Sequence, residues 1–291
     1  MRIFLNGQIL SREEAKVSVL DRGFLYGDGV FETLRSYHGR IFRCEDHVQR
    51  LFRSAEAIRM SLPLSLEEIR DSLYRTLSAN NLQDARIRIS VTRGEGEPGH
   101  MDVTDSSPTV CIVATPFAGH PQEKYSMGVR ADIVSTRQIP PEVLSPQAKS
   151  LNRLNLILAQ MEIRGSGAEE AFLLTMNGQV AEGTTSNIFM VQGGVVTTPP
   201  LSLGILDGIT RREVLRIATT IGIPVLEESF RPNDLVAAEE CFITSTTKEV
   251  MPVVNIGGKA VGQGIPGKLT RNLLDTFRKW VESDSTGHRT R

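Results

Sequence analysis

The sequence has no marked excess of either charge: 33 Lys and Arg stand against 34 Asp and Glu in 291 residues, a formal net charge of −1. That excludes a protein whose main work is neutralising nucleic-acid phosphates across a broad basic face. Cysteine is scarce. The 3 present, Cys44, Cys111 and Cys241, lie far apart with no CxxC or Cys/His spacing, which excludes a disulfide framework and a zinc site and leaves buried thiols. No run approaches the ~20 apolar residues that cross a bilayer, and the opening Met1-Arg2-Ile3-Phe4-Leu5-Asn6 turns polar too soon for a signal peptide. A cytoplasmic chain with small-molecule partners, and with neither nucleic acid nor membrane, is therefore expected. No GxxxxGK[ST] occurs, so a P-loop lacks its signature. What is there, 40% hydrophobic and 23% charged residues, is the composition of an ordinary globular protein.

The length exceeds the usual single core, so two packed domains sharing one site are expected. Turn formers without helical or strand period run from Pro116 to Gly128. They place a small α+β domain at 1–117, a linker at 118–128 and a larger domain at 129–291. In the first, β-like pieces fall at Arg2 to Leu5, Lys16 to Val19 and Val30 to Tyr37. Apolar residues at three- and four-residue steps predict helices over His47 to Met60 and Ser65 to Asn80, the second opened by a Ser65/Glu68 capping box. Strict alternation over Ala85 to Thr92 predicts a half-buried strand with Arg86, Arg88 and Ser90 on one face. The second domain interleaves short strands with helices at Asn152 to Ile163, Thr210 to Ile221 and Pro266 to Val281, and ends in a disordered tail from Asp284 to Arg291. Strands joined by short turns predict antiparallel-rich sheets.

Four places carry chemistry. Lys149, before an apolar helix, could lose its proton near neutral pH if desolvated, and a neutral amine forms Schiff bases; the bland alternative is a lysine with its head in water. Glu182 ends a short strand ahead of Gly-Thr-Thr-Ser-Asn187, where its carboxylate could keep a pyridine nitrogen protonated or simply face solvent. Gly208-Ile-Thr210 starts a helix whose free N–H groups and hydroxyl suit a phosphate, with Thr244-Ser-Thr-Thr247 as a further hydroxyl cluster, although many helices start this way. Arg50 could pair bidentately with the same anion or occupy a solvated helix face.

Together these motifs resemble the fold-type IV pyridoxal-phosphate enzymes, the branched-chain and D-amino-acid aminotransferases and aminodeoxychorismate lyases. The resemblance runs from Asp21-Arg-Gly-Phe-Leu-Tyr-Gly-Asp-Gly-Val-Phe-Glu32 through Lys149-Ser-Leu-Asn, Glu182-Gly-Thr-Thr-Ser-Asn-Ile-Phe and Gly208-Ile-Thr-Arg to Thr244-Ser-Thr-Thr-Lys-Glu-Val-Met-Pro252. It implies the two-domain α+β fold of D-amino-acid aminotransferases, pyridoxal 5'-phosphate as cofactor, no metal, and a homodimer or higher homo-oligomer. Lys149 would hold the cofactor covalently and, once displaced by the substrate amine, shuttle the proton. Glu182 would sit on the pyridine nitrogen and Leu206 behind the ring. Arg50, Ile209, Thr210 and Thr246 would clamp the phosphate.

Arg86-Ile-Arg88-Ile-Ser-Val-Thr-Arg-Gly is most similar to the branched-chain enzymes. There Arg88 would receive the acceptor's side-chain carboxylate, Tyr26 and Phe31 would line the aliphatic pocket, and the amides near Thr246 and Thr247 would take the α-carboxylate. The activity implied is transfer of the amino group between L-branched-chain amino acids and 2-oxoglutarate in two half-reactions. Two features point to relatives instead. Leu154 replaces a tyrosine of the branched-chain enzymes, and Lys149-Ser-Leu-Asn-Arg-Leu-Asn resembles the pyruvate-releasing lyases, the alternative reading. The arginine and histidine of D-amino-acid aminotransferases are half present, as Pro98 and His100, which makes D-transamination the third.

Overall fold

Asn6 and Gly7, with φ of 47° and 89°, make the tight hairpin turn that Asn-Gly favours, and so pair β1 (Arg2–Leu5) with β2 (Gln8–Ser11). The computed structural model describes residues 1–97, 99–102 and 107–286, with side chains as far as Ser283. Two compact units are present, one of Met1–Ala118 with Gln147–Asn152, the other of Gly119–Pro146 with Arg153–Ser283.

The first unit continues with α1 (Arg22–Tyr26), β3 (Gly29–Tyr37), β4 (Arg40–Ile41), α2 (Cys44–Ala57), α3 (Leu66–Ala79), β5 (Ala85–Thr92) and β6 (Thr109–Pro116). Its sheet is antiparallel throughout, in the order β2-β1-β6-β5-β3-β4. The alternation in β5 holds residue by residue: Ile87, Ile89 and Val91 enter a core with Val30 and Leu34 of β3, Val48 and Leu51 of α2, and Ile69, Leu73 and Leu77 of α3. Arg86, Arg88 and Ser90 occupy the other face. The capping box at α3 is formed, with Glu68 N donating to Ser65 Oγ at 3.2 Å and Ser65 N donating to Glu68 Oε2 at 2.8 Å. The expected strand at Lys16 to Val19 is not one. Val17 and Val19 are 47% and 67% exposed and no strand among the described residues pairs with them, because the hairpin turn has already placed the second strand at Gln8–Ser11.

The second unit comprises α4 (Gln122–Met127), β7 (Val129–Arg137), α5 (Leu154–Glu162), β8 (Glu170–Leu174), β9 (Val180–Gly183), β10 (Asn187–Gln192), β11 (Val195–Thr198), α6 (Ile209–Thr220), β12 (Val225–Glu227), α7 (Pro232–Ala237), β13 (Glu240–Ser245), β14 (Glu249–Ile256), β15 (Lys259–Ala260) and α8 (Lys268–Thr286). The strands run β12-β11-β10-β13-β14-β7-β8-β9, with β15 on β14. The pairs β11·β12, β14·β7 and β7·β8 are parallel and the others antiparallel. The stretch read as having no helical period holds α4, a single short helix closed by Gly128 at φ 79°, too brief for a repeat to show. Of the expected tail, 287–291 lie outside the described residues, and α8 runs on to Thr286. No helix among the described residues is long and apolar enough to cross a membrane.

Candidate active site

In β3 the core-facing positions read Val30, Glu32, Leu34, so a carboxylate stands where a hydrocarbon is expected. It is 1% exposed and is matched by α2, whose His47 and Arg50 lie one helical turn apart on the same face. Arg50 Nε donates to Glu32 Oε1 at 2.6 Å and Arg50 Nη2 to Glu32 Oε2 at 2.8 Å, while His47 Nδ1 lies 2.9 Å from Glu32 Oε2. Burial would raise the Glu32 pKa, but the Arg50 charge and the hydrogen bonds from Arg50 and His47 overcome it and hold the carboxyl far below its ordinary range. Burial dominates at His47, whose pKa is lowered despite the attraction of Glu32.

Lys149 does not open the helix; α5 begins only at Leu154. The lysine sits in an extended segment laid along the start of β3. Phe31 N donates to Lys149 O and Leu151 N to Gly29 O, each at 2.9 Å, and Val30 bridges Ser150. Ser54 of α2 pins the same segment, its hydroxyl accepting from Lys149 N at 3.1 Å and donating to Gln147 O at 3.3 Å. The amine is therefore presented from a fixed backbone. Its Nζ lies 4.9 Å from the Phe31 ring centroid, and the Arg88 guanidinium lies 3.9 Å from the same centroid. Arg88 Nε also donates to Ser90 Oγ at 3.1 Å. Tyr26, on α1, accepts from Gly99 N at 3.3 Å. Pro98 lies outside the described residues, and His100 is exposed, its carbonyl accepting from Arg22 Nη1 at 3.0 Å.

In the second unit Glu182 is held by Gln138 Nε2 at 2.8 Å and by Leu206 N at 3.0 Å. Asn187 Nδ2 donates to Leu206 O at 2.9 Å, so the Leu206 backbone is fixed on both sides. Gly208 follows without a Cβ, which would lie 2.0 Å from Asn187 Oδ1. It is the N-cap of α6 and makes no side-chain cap, leaving the first-turn N–H groups of Ile209 and Thr210 to another acceptor. Thr210 is 2% exposed, and its hydroxyl has no hydrogen-bond partner among the described residues. Thr244, opposite Asn187 in the β10·β13 ladder, has a buried hydroxyl in the same condition. Thr246 and Thr247 occupy the β13–β14 turn.

A family profile described as Amino-transferase class IV matches residues 29–256. The chain belongs to that family. A protein of Methanocaldococcus jannaschii, provisionally named a branched-chain-amino-acid aminotransferase, is 44% identical over 284 residues, 96% of this chain and 98% of that one. The D-alanine aminotransferase of Staphylococcus epidermidis is 37% identical over 284 residues, 98% and 99% of the two chains. The solved branched-chain amino acid aminotransferase of Thermobaculum terrenum, in its pyridoxal-phosphate holo-form, is 30% identical, covers 99% of this chain and 96% of its own, and superposes with a TM-score of 0.89. The fold is thus the fold-type IV α+β fold.

Class IV aminotransferases act on amino and 2-oxo acids with pyridoxal 5'-phosphate as cofactor. The residues present fit that group. An uncapped helix start and an orphaned buried hydroxyl suit its phosphate, and a carboxylate fixed by two donors suits its pyridinium nitrogen. Sequence reasoning passed over Glu32, His47, Gln138 and Ser54. Only Glu32 left a signal, as a charge at an apolar position of a core strand. Leu154, where branched-chain enzymes carry tyrosine, is 68% exposed on α5.

Proposed function

We propose that this class IV aminotransferase moves the amino group between L-branched-chain amino acids and 2-oxoglutarate. The observation that carries the reading is the Phe31 ring, flanked by the Lys149 amine and the Arg88 guanidinium. An aliphatic side chain packs on that ring, and the side-chain carboxylate of 2-oxoglutarate or glutamate pairs with Arg88. The name of the Methanocaldococcus jannaschii relative supports the same substrate class.

When bound, the cofactor supplies an aldehyde that takes up the amino group and a ring that accepts the electron pair freed at the substrate Cα. Lys149 would hold it covalently and, once freed by the substrate amine, its Nζ would take the proton from Cα and deliver it to the carbon that bears the transferred amino group. Glu182 keeps the proton on the ring nitrogen, with Gln138 and Leu206 N fixing its oxygens. Arg50, the Ile209 and Thr210 amides, the Thr210 hydroxyl and Thr246 bind the phosphate, and Leu206 backs the ring. Tyr26 lines the aliphatic pocket with Phe31, and the amides at Thr246 and Thr247 take the α-carboxylate. In the first half-reaction the amino acid gives up its amino group, takes its new oxygen from water and leaves as its 2-oxo acid; in the second, 2-oxoglutarate takes the amino group, releases its oxygen as water and leaves as glutamate.

The enzyme acts as a homodimer, a reading supported by the apolar stripe on α5. Leu154, Ile157, Leu158 and Met161, spaced along one helix face, are 68%, 56%, 48% and 59% exposed.

A donor panel of both enantiomers, with 2-oxoglutarate and pyruvate as acceptors, tests the assignment. L-leucine, L-isoleucine and L-valine with 2-oxoglutarate are expected to be turned over fastest, and Arg88→Leu to raise KM for 2-oxoglutarate about a hundredfold, the scale of a lost charged contact. The similarity to the Staphylococcus epidermidis enzyme favours a second reading, D-amino-acid transamination. Faster turnover of D-alanine with 2-oxoglutarate would establish it in place of the first, and pyruvate released from aminodeoxychorismate, with no response to any amino acid, would establish the lyase.

A further inference from the structure

Glu170 opens β8, a strand whose residues Glu-Ala-Phe-Leu-Leu are all buried, and is itself 0% exposed. A charge in that position needs partners, and those it has come from two separate turns. Its carboxylate accepts from the Thr184 hydroxyl, from Thr185 N at 3.3 Å and its hydroxyl at 3.2 Å, from the Ser186 hydroxyl at 3.1 Å, and from the Lys248 ammonium. Lys248 Nζ also donates to Thr185 Oγ1 at 2.8 Å. One turn therefore follows Glu182 directly, and the other is the β13–β14 turn of Thr246, Thr247 and Lys248.

The surroundings are shaped to this arrangement. A Cβ on Gly183 would lie 2.9 Å from Glu170 Cγ and 2.5 Å from Ser186 Oγ, so the carboxylate occupies space that only glycine leaves. At the far end of the β13–β14 turn, Glu249 is held at φ 55°, a conformation that disfavours a side chain. Its Oε2 accepts from Arg278 Nε at 2.8 Å. The turn is thus tied down on both sides, and the tie through Lys248 is the one that reaches the Glu182 segment.

We infer that Glu170, through its ion pair with Lys248, is a positioning residue that fixes the Thr246–Thr247 turn for the cofactor phosphate in register with the turn behind Glu182. This rests on the reading in which Thr246 binds that phosphate. Glu170 touches neither substrate nor cofactor and acts through the hydroxyls and the ammonium it holds.

Dissociation constants for pyridoxal 5'-phosphate and for pyridoxal, which lacks the phosphate, test it by equilibrium dialysis on the full chain. Lys248→Met and Glu170→Gln are each expected to weaken binding of the phosphorylated form about tenfold, within the coupling range of contacting charges. Binding of pyridoxal should not change, and the double variant should be no worse than the poorer single one. Equal weakening toward both probes, additive losses, or wild-type affinity for pyridoxal 5'-phosphate would overturn the positioning role. If Glu170→Gln does not fold, Lys248→Met alone decides, since its side chain is partly exposed. Thr246→Val separates the two levels. Weakening there with none in Lys248→Met removes the positioning role and leaves the phosphate reading intact. No change in Thr246→Val removes the phosphate reading and the inference with it.

Discussion

Replacing Glu32 with glutamine leaves the Arg50 guanidinium buried without its counter-charge. Removing one partner of such a pair costs about 3–5 kcal/mol, so Glu32→Gln should fold with much lower stability in urea titration. The same cluster sets a pH dependence. Both Glu32 and His47 have folded-state pKa values depressed below their ordinary values of 4.5 and 6.5. Their contribution is therefore complete above those values and is lost on acidification. Stability should begin to fall as pH drops below 6.5 and fall further below 4.5, and His47→Asn should flatten the upper part of that profile. A profile unchanged in His47→Asn would remove the histidine from the account. At Lys149 the expectation concerns function, because backbone hydrogen bonds that a substitution of the side chain keeps tie it to β3 and α2. Lys149→Ala should keep the circular dichroism spectrum of the parent while losing turnover and the visible absorbance of bound cofactor; residual turnover at the parent rate would contradict this.

Elements differ in how far the sequence reveals them. Strand β5 and helix α3 were legible because each residue obeys one period and, for α3, the Ser65/Glu68 cap marks the start. Lys16 to Val19 has the same alternation, but alternation specifies a strand only when another strand pairs with it, and the Asn6-Gly7 turn had already chosen the pairing. The individual groups proposed to hold the cofactor could be read from motifs. Their supports could not, since Gln138 reaches Glu182 across 44 residues and Ser54 reaches Lys149 across 95, and separations of that length leave no local pattern. Helix α6 supplies a test at this scale. Because a Cβ at residue 208 would strike Asn187 Oδ1, Gly208→Ala should push Asn187 off Leu206 O and shift the helix start. Cofactor affinity is expected to drop about tenfold, the equivalent of one lost hydrogen bond, as measured by equilibrium dialysis. Unaltered affinity would show that the helix start does not bear on the phosphate.

For the molecule as a whole, the apolar stripe on α5 leaves Leu154, Ile157, Leu158 and Met161 facing solvent. Ile157→Glu places a charge in the middle of it and should shift the sedimentation coefficient from dimer toward monomer without changing helix content; an unaltered coefficient would locate the contact elsewhere. The path of the chain has a further consequence. Gln147–Asn152 belongs with Met1–Ala118, although many residues of the other unit intervene. A gene truncated after residue 118 would encode β3 with Gly29 O and Phe31 N stripped of the partners that Leu151 and Lys149 provide. Such a fragment would carry a raw strand edge open to self-association, so it should precipitate on expression, and a short peptide spanning 147–152 supplied in trans should restore its solubility.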